Sequence, residues 1–178
     1  MKVAALYVRA DSVYKILPGV DPWDKGRDAS RYAGPWPVIC HPPCRSWGRF
    51  AYKSKGSAEE KALAVRAILQ AREFGGVVEH PEASGLWLAA GCPEPGGGRD
   101  DAGGWCLTLN QGWFGHPAQK RTRLYVVGAS PRALPAFPIS LQPASRTVEG
   151  MSKAQRERTP PDFAEWLVKL AALCAPEL

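Results

Sequence analysis

The chain has 178 residues, a length that fits one domain. Hydrophobic residues make up 45% and charged residues 22%, enough apolar surface for a real core, which excludes disorder as the dominant state. The formal net charge of +6 points toward a polyanionic partner. No apolar run approaches the roughly 18 residues of a membrane span. The run from Met1 to Arg9 is interrupted too soon for a signal peptide, so a cytoplasmic protein without a membrane partner is expected. The five cysteines Cys40, Cys44, Cys92, Cys106 and Cys174 are an odd number, read as reduced thiols.

Lys2 to Val8 is a β-branched and aromatic run, read as a strand. Leu17-Pro18-Gly19, Asp21-Pro22-Trp23-Asp24 and Gly34-Pro35-Trp36-Pro37 mark a turn-rich stretch that holds no long helix. Pro37 to Cys40 is a short strand, and the two prolines of His41-Pro42-Pro43-Cys44 stop it. Ser57-Ala58-Glu59-Glu60 has capping-box spacing and should start a helix. Ala64, Ala67, Ile68, Ala71 and Phe74 give that helix a core-facing stripe, and Gly75-Gly76 is expected to end it in a left-handed cap. Val77-Val78 then forms a strand ending at Glu79-His80-Pro81. Strand, helix, strand in that order predicts a right-handed parallel βαβ unit.

Gly91 to Gly104 reads as a loop, Trp105 to Leu109 and Arg123 to Val127 as strands, and Ala129 to Pro143 as irregular. Thr159-Pro160-Pro161-Asp162 predicts a helix start, and Phe163, Leu167, Leu170 and Cys174 give the C-terminal helix an apolar face. The fold class expected is a single α/β domain, a mostly parallel sheet flanked by helices. Residues 1–150 form its core, and residues 151–178 a C-terminal helix packing on that core.

Ligands of open α/β sheets bind beyond the carboxyl ends of the parallel strands. Two such ends carry His41-Pro42-Pro43-Cys44 and Glu79-His80-Pro81, joined by one helix, so a thiol and a carboxylate should face one crevice. A cysteine near arginines and a helix N-terminus is expected to have a lowered pKa and act as a nucleophile. A carboxylate beside it can hydrogen-bond a ring nitrogen. Alone, Cys44 reads as a small buried hydrophobe and Glu79 as a surface carboxylate; together they point to chemistry. In Gln119-Lys120-Arg121-Thr122-Arg123, three cations precede or open a strand, where arginines can hold phosphates or a carbonyl oxygen and a solvated basic turn is the plainer alternative.

These three segments, in this order, resemble the DNA cytosine carbon-5 methyltransferases. His41-Pro42-Pro43-Cys44-Arg45-Ser46-Trp47 is similar to that family's Pro-Pro-Cys nucleophile turn, and Val78-Glu79-His80-Pro81 to its glutamate turn. Gln119 to Arg123, after Gly115-His116-Pro117 and before a strand ending at Gly128, is similar to its Gln-x-Arg-x-Arg motif. The resemblance implies a truncated methyltransferase-like (Rossmann-like) core, without the glycine-rich cofactor loop or a target-recognition domain. It implies Cys44, Glu79, Arg121 and Arg123 as catalytic residues. Cys44 would add to carbon 6 of a flipped or unpaired pyrimidine in DNA, and Glu79 would hydrogen-bond ring nitrogen 3. Arg123 would contact the base carbonyl oxygen and Arg121 the glutamate or a phosphate. Pro43, Arg45, Trp47, His80, Gln119 and Lys120 would bind substrate, with Trp47 a wall of the base pocket.

S-adenosylmethionine is the cofactor implied, with Asp21 and Asp28 assigned to it, and no metal is expected. A zinc alternative rests on Cys40, His41, Cys44, His80, Cys92, Cys106 and His116, of which only Cys40 and Cys44 form a close pair. Two further alternatives are a non-catalytic module that binds DNA or protein in a modification or restriction system, and an enzyme acting on a free pyrimidine nucleotide.

Overall fold

The computed structural model describes residues 1–48, 51, 56–138 and 144–175. Six strands form one mixed sheet: β1 (Val3–Val8), β2 (Val20–Asp24), β3 (Val38–Cys40), β4 (Gly76–Pro81), β5 (Trp105–Asn110) and β6 (Arg121–Val127). Across the sheet the order is β2-β1-β3-β4-β6-β5. The first four positions pair in parallel, whereas β6 runs antiparallel to both β4 and β5. Helices α1 (Ala58–Phe74), α2 (Leu86–Ala89), α3 (Lys153–Glu157) and α4 (Pro161–Ala172) complete a single α/β domain.

Both faces of the sheet are covered, which is why β1 and β3 read as nearly continuous apolar runs and β4 carries Val77-Val78. Ala64, Ala67, Ile68 and Ala71 of α1 pack on the face that carries Ala4, Leu6, Val38, Cys40 and Val78. Phe163, Leu167 and Leu170 of α4 pack on the opposite face, against Val3, Ala5, Ile39 and Val77. Ser57 caps α1 by accepting from the Glu60 backbone N–H, as the sequence spacing anticipates. The β3–α1–β4 unit is parallel, with Cys40 opposite Val78.

Three expectations need correction. The chain does not leave α1 through a left-handed helical cap: Gly75 has φ +71° and ψ 161°, which feeds it directly into β4. At Gly76 a Cβ would stand 2.0 Å from the Val38 carbonyl oxygen, so glycine is required by the close approach of β3. The stretch around Asp21-Pro22-Trp23-Asp24 is not merely turns; it is β2, and the sheet tolerates Pro22 because β2 is an edge strand. Finally, the sheet is parallel in three of its five pairings, as expected, but is mixed, since β6 opposes its neighbours.

The direction of β6 matters for the site. Because it is antiparallel, Thr122 pairs with Pro81, and the N-terminal end of β6 lies beside the carboxyl end of β4. The chain order also reverses between β1 and β3, since β2 lies on one side of β1 and β3 on the other. That switch point is where α/β sheets form their ligand crevice. Among the described residues, no helix is long and apolar enough to cross a membrane.

Candidate active site

A cleft of about 1230 Å³ opens at this switch point. Its walls come from the segment after β1 (Arg9 to Ile16), the loop after β3 (His41 to Arg45), the end of β4 (Glu79 to Pro81), Lys120 and Arg121 before and at the start of β6, and part of 148–161. Small-molecule sites run to roughly 300–1,000 Å³, so there is room for a base with its sugar and phosphate. Among the described residues, seven Lys or Arg side chains line the cleft against three Asp or Glu, a local excess of positive charge. Several of those cations already have partners, Arg9 with Asp11 and Glu157, and Lys15 with Asp24.

The centre of the site is Glu79, 9% exposed, on the α4 face of the sheet. Its Oε1 accepts from Gln111 Nε2 at 3.0 Å and from the Thr122 hydroxyl. Its Oε2 lies 3.1 Å from His41 Nδ1, and His41 Nε2 lies 2.9 Å from the Tyr14 hydroxyl. Strand register brings these groups together. Cys40 pairs with Val78, so His41 comes level with Glu79, and Thr122 is the diagonal neighbour of Glu79 across the β4–β6 ladder. Burial alone would raise the Glu79 carboxyl. The hydrogen bond to His41, the charge of Lys120 and the Thr122 hydroxyl outweigh it and hold the carboxyl well below the usual range. Glu79 is therefore an acceptor-only carboxylate, and His41 donates to it through Nδ1–H. One Oε2 lone pair remains for a ligand. Burial, with the Glu79 charge beside it, keeps the Tyr14 phenol protonated.

Cys44 is half-buried and lines the same cleft. The expectation of a lowered thiol pKa is not met. Burial and the nearby Glu79 charge push the thiol up, and the opposing charge of Lys120 does not cancel them. The arginine beside it is engaged, since Arg45 forms a bidentate pair with Glu60.

The other predicted residues divide. Pro43, Arg45, His80, Lys120 and Arg121 line the cleft with Cys44 and Glu79. Arg121 holds Glu82, at 2.6 Å, rather than Glu79 or an open position. His80 is 1% exposed, packs edge-on against Trp87, and burial lowers its pKa to about 4, so it stays neutral. Arg123 does not reach the cleft. It points to the opposite face of the sheet, 5.1 Å from the Trp87 ring centroid, and donates to the Pro93 carbonyl and to Glu94. Trp47 packs on the α1 side and is not a wall of the cleft. Gln119 is exposed and accepts from Asn110.

The residues assigned to S-adenosylmethionine do not fit that group. Asp21 lies outside the cleft and is held by Arg27 and the Trp23 indole, and Asp28 accepts from Ser30. The turn after β1 carries Tyr7, at φ +59° in a bulge of the strand, then the paired Arg9 and Asp11. The described residues hold no cluster of three or more His, Cys, Asp or Glu placed to bind a metal.

Sequence reasoning missed Tyr14, Gln111 and Thr122, and saw His41 only as a turn residue or zinc ligand. Only His41 carried a signal: it follows a strand by one residue, level with Glu79 on the next strand. Comparison with family models, with curated proteins and with solved structures finds no match to this chain.

Proposed function

We propose that the cleft binds a pyrimidine base, cytosine in DNA as the motif resemblance implies, and that Cys44 adds to its carbon 6. The observation that carries this reading is the meeting of Cys44, Glu79 and Lys120 around one opening at the carboxyl ends of β3 and β4. The Cys44 thiol loses its proton to solvent as the base enters, with Lys120 favouring the thiolate. The S–C6 bond forms, the C5=C6 pair moves to C4–C5, and the C4=N3 pair moves to ring nitrogen 3, which takes a proton. Glu79 Oε2 accepts from the N3–H so formed through its remaining lone pair. Carbon 5 is now a nucleophilic enamine carbon. With no further reagent it exchanges its hydrogen with water, and expulsion of the thiolate returns the base. With an electrophile present it would be substituted, the step a methyltransferase-like enzyme performs.

The test is covalent trapping. A DNA strand containing 5-azacytosine, whose addition product is long-lived, is expected to become attached to Cys44, as seen by denaturing electrophoresis and peptide mass spectrometry, and not to a Cys44→Ala protein. Attachment elsewhere, or none, overturns the reading. A non-catalytic base-binding module is favoured by one observation, the raised thiol pKa. Saturable binding of cytosine-containing DNA without attachment is its signature. Attachment of a free 5-azacytosine nucleotide but not of the strand would move the substrate to the nucleotide pool.

A further inference from the structure

The reading above, on which this inference rests, leaves one proton without a source. Ring nitrogen 3 must be protonated, yet Glu79 carries three donors and is held ionised. A carboxylate so disposed is a poor acid by itself. Behind it stands His41, whose second nitrogen faces a fully buried tyrosine hydroxyl.

We propose that Tyr14, His41 and Glu79 form a proton relay in which His41 stores the proton and Glu79 passes it to the ring. The Tyr14 hydroxyl is suited to this because a phenol can turn. It accepts from Nε2–H when that nitrogen carries a proton and donates to Nε2 when it is bare. In the forward step, the proton on His41 Nδ1 moves to Glu79 Oε2, and the neutral carboxyl so formed turns its O–H toward the cleft and passes that one proton to ring nitrogen 3. His41 is left neutral with its remaining proton on Nε2, donated to the Tyr14 oxygen. Its bare Nδ1 then faces Glu79, an arrangement that favours return of the proton when the thiolate leaves. The titratable and charged groups around this chain are Tyr14 from the turn after β1, Glu79 from β4, Cys44 from the same loop, Lys120 from the segment before β6 and, acting on Cys44, Glu157 of α3. His41 is thus a positioning and relay residue and need not touch the substrate.

The experiment is the pH profile of carbon-5 hydrogen exchange, measured by mass spectrometry on a deuterated cytosine strand, for the natural protein, His41→Asn, His41→Ala and Tyr14→Phe. Asparagine keeps a donor toward Glu79 but cannot relay a proton. His41→Asn is expected to lose roughly 100-fold in rate, the scale of a lost acid–base group, together with the limb of the profile that reports loss of the His41 proton. Free imidazole is expected to restore part of the rate in His41→Ala. Tyr14→Phe, which keeps the ring and its packing, is expected to shift that limb by a smaller amount than the loss seen in His41→Asn. Exchange in His41→Asn at the natural rate with an unchanged profile overturns the relay and leaves the Cys44 reading standing. Absence of exchange in the natural protein overturns both.

Discussion

Two polar clusters sit on opposite faces of the same sheet, and they differ in what they face. On the α4 side, Tyr14, His41, Glu79, Gln111 and Thr122 form a chain whose central members border the cleft. On the α1 side, Arg123 lies between the Trp87 ring and the Pro93 carbonyl, and Arg72, Asp100 and Tyr125 form a closed triangle with distances of 2.7–3.0 Å. The first has a carboxylate lone pair left for a ligand. The second meets its hydrogen-bonding needs largely within itself, as a buried structural network does. Gln119-Lys120-Arg121-Thr122-Arg123 supplies both, because successive strand residues point to opposite faces. A short motif therefore does not specify one site; the pleat divides it between two.

That contrast can be broken or sharpened by experiment. The largest effect is expected from Cys44→Ala, which should abolish attachment of 5-azacytosine while changing stability by less than about 1 kcal/mol, since the thiol is small and half-buried. Arg123→Ala should do the reverse: attachment persists in the folded protein, and denaturant unfolding shows a loss of about 2–3 kcal/mol from the stranded Pro93 carbonyl and the bared Trp87 ring. Loss of attachment at full stability would put Arg123 back in the site.

A smaller effect concerns His80. Its folded pKa of about 4 lies below the ordinary 6.5, so the unfolded chain takes up a proton that the folded chain refuses. The natural protein should lose stability as pH falls from about 6.5 to 4, and His80→Gln should flatten that slope in thermal unfolding. An unchanged slope would show that His80 is not buried neutral. The smallest effect is expected from Lys120→Gln. Lys120 favours the Cys44 thiolate, so its removal should move the pH profile of Cys44 alkylation to higher pH. A profile that stays in place would remove Lys120 from the cleft's electrostatics.

Much of this arrangement was legible in the sequence. The Ser57 cap, the alanine-rich stripe and the apolar run of β4 give the βαβ unit, and the unit alone puts Cys44 and Glu79 at neighbouring strand ends. The apolar spacing of Phe163, Leu167 and Leu170 likewise gives α4 its buried face. Other features depend on tertiary pairing and left no local trace. Pro22 made β2 read as a turn, since only its edge position makes proline harmless. The direction of β6 follows from its neighbours, not its composition. The alternation of Arg121, Thr122 and Arg123 was visible, but which face opens on a cleft depends on where α4 and α1 pack. Tyr14 reaches His41 from 27 residues away in the chain and Gln111 reaches Glu79 from 32, beyond any periodicity.

The central claim is that the Cys44 sulfur adds to a pyrimidine held against Glu79. Carbon-5 hydrogen exchange tests it most directly, because it needs no second reagent. The account predicts that the natural protein exchanges the carbon-5 hydrogen of a cytosine strand with water and that Cys44→Ala does not. Exchange that is equal in the two proteins, or absent from both, would contradict it.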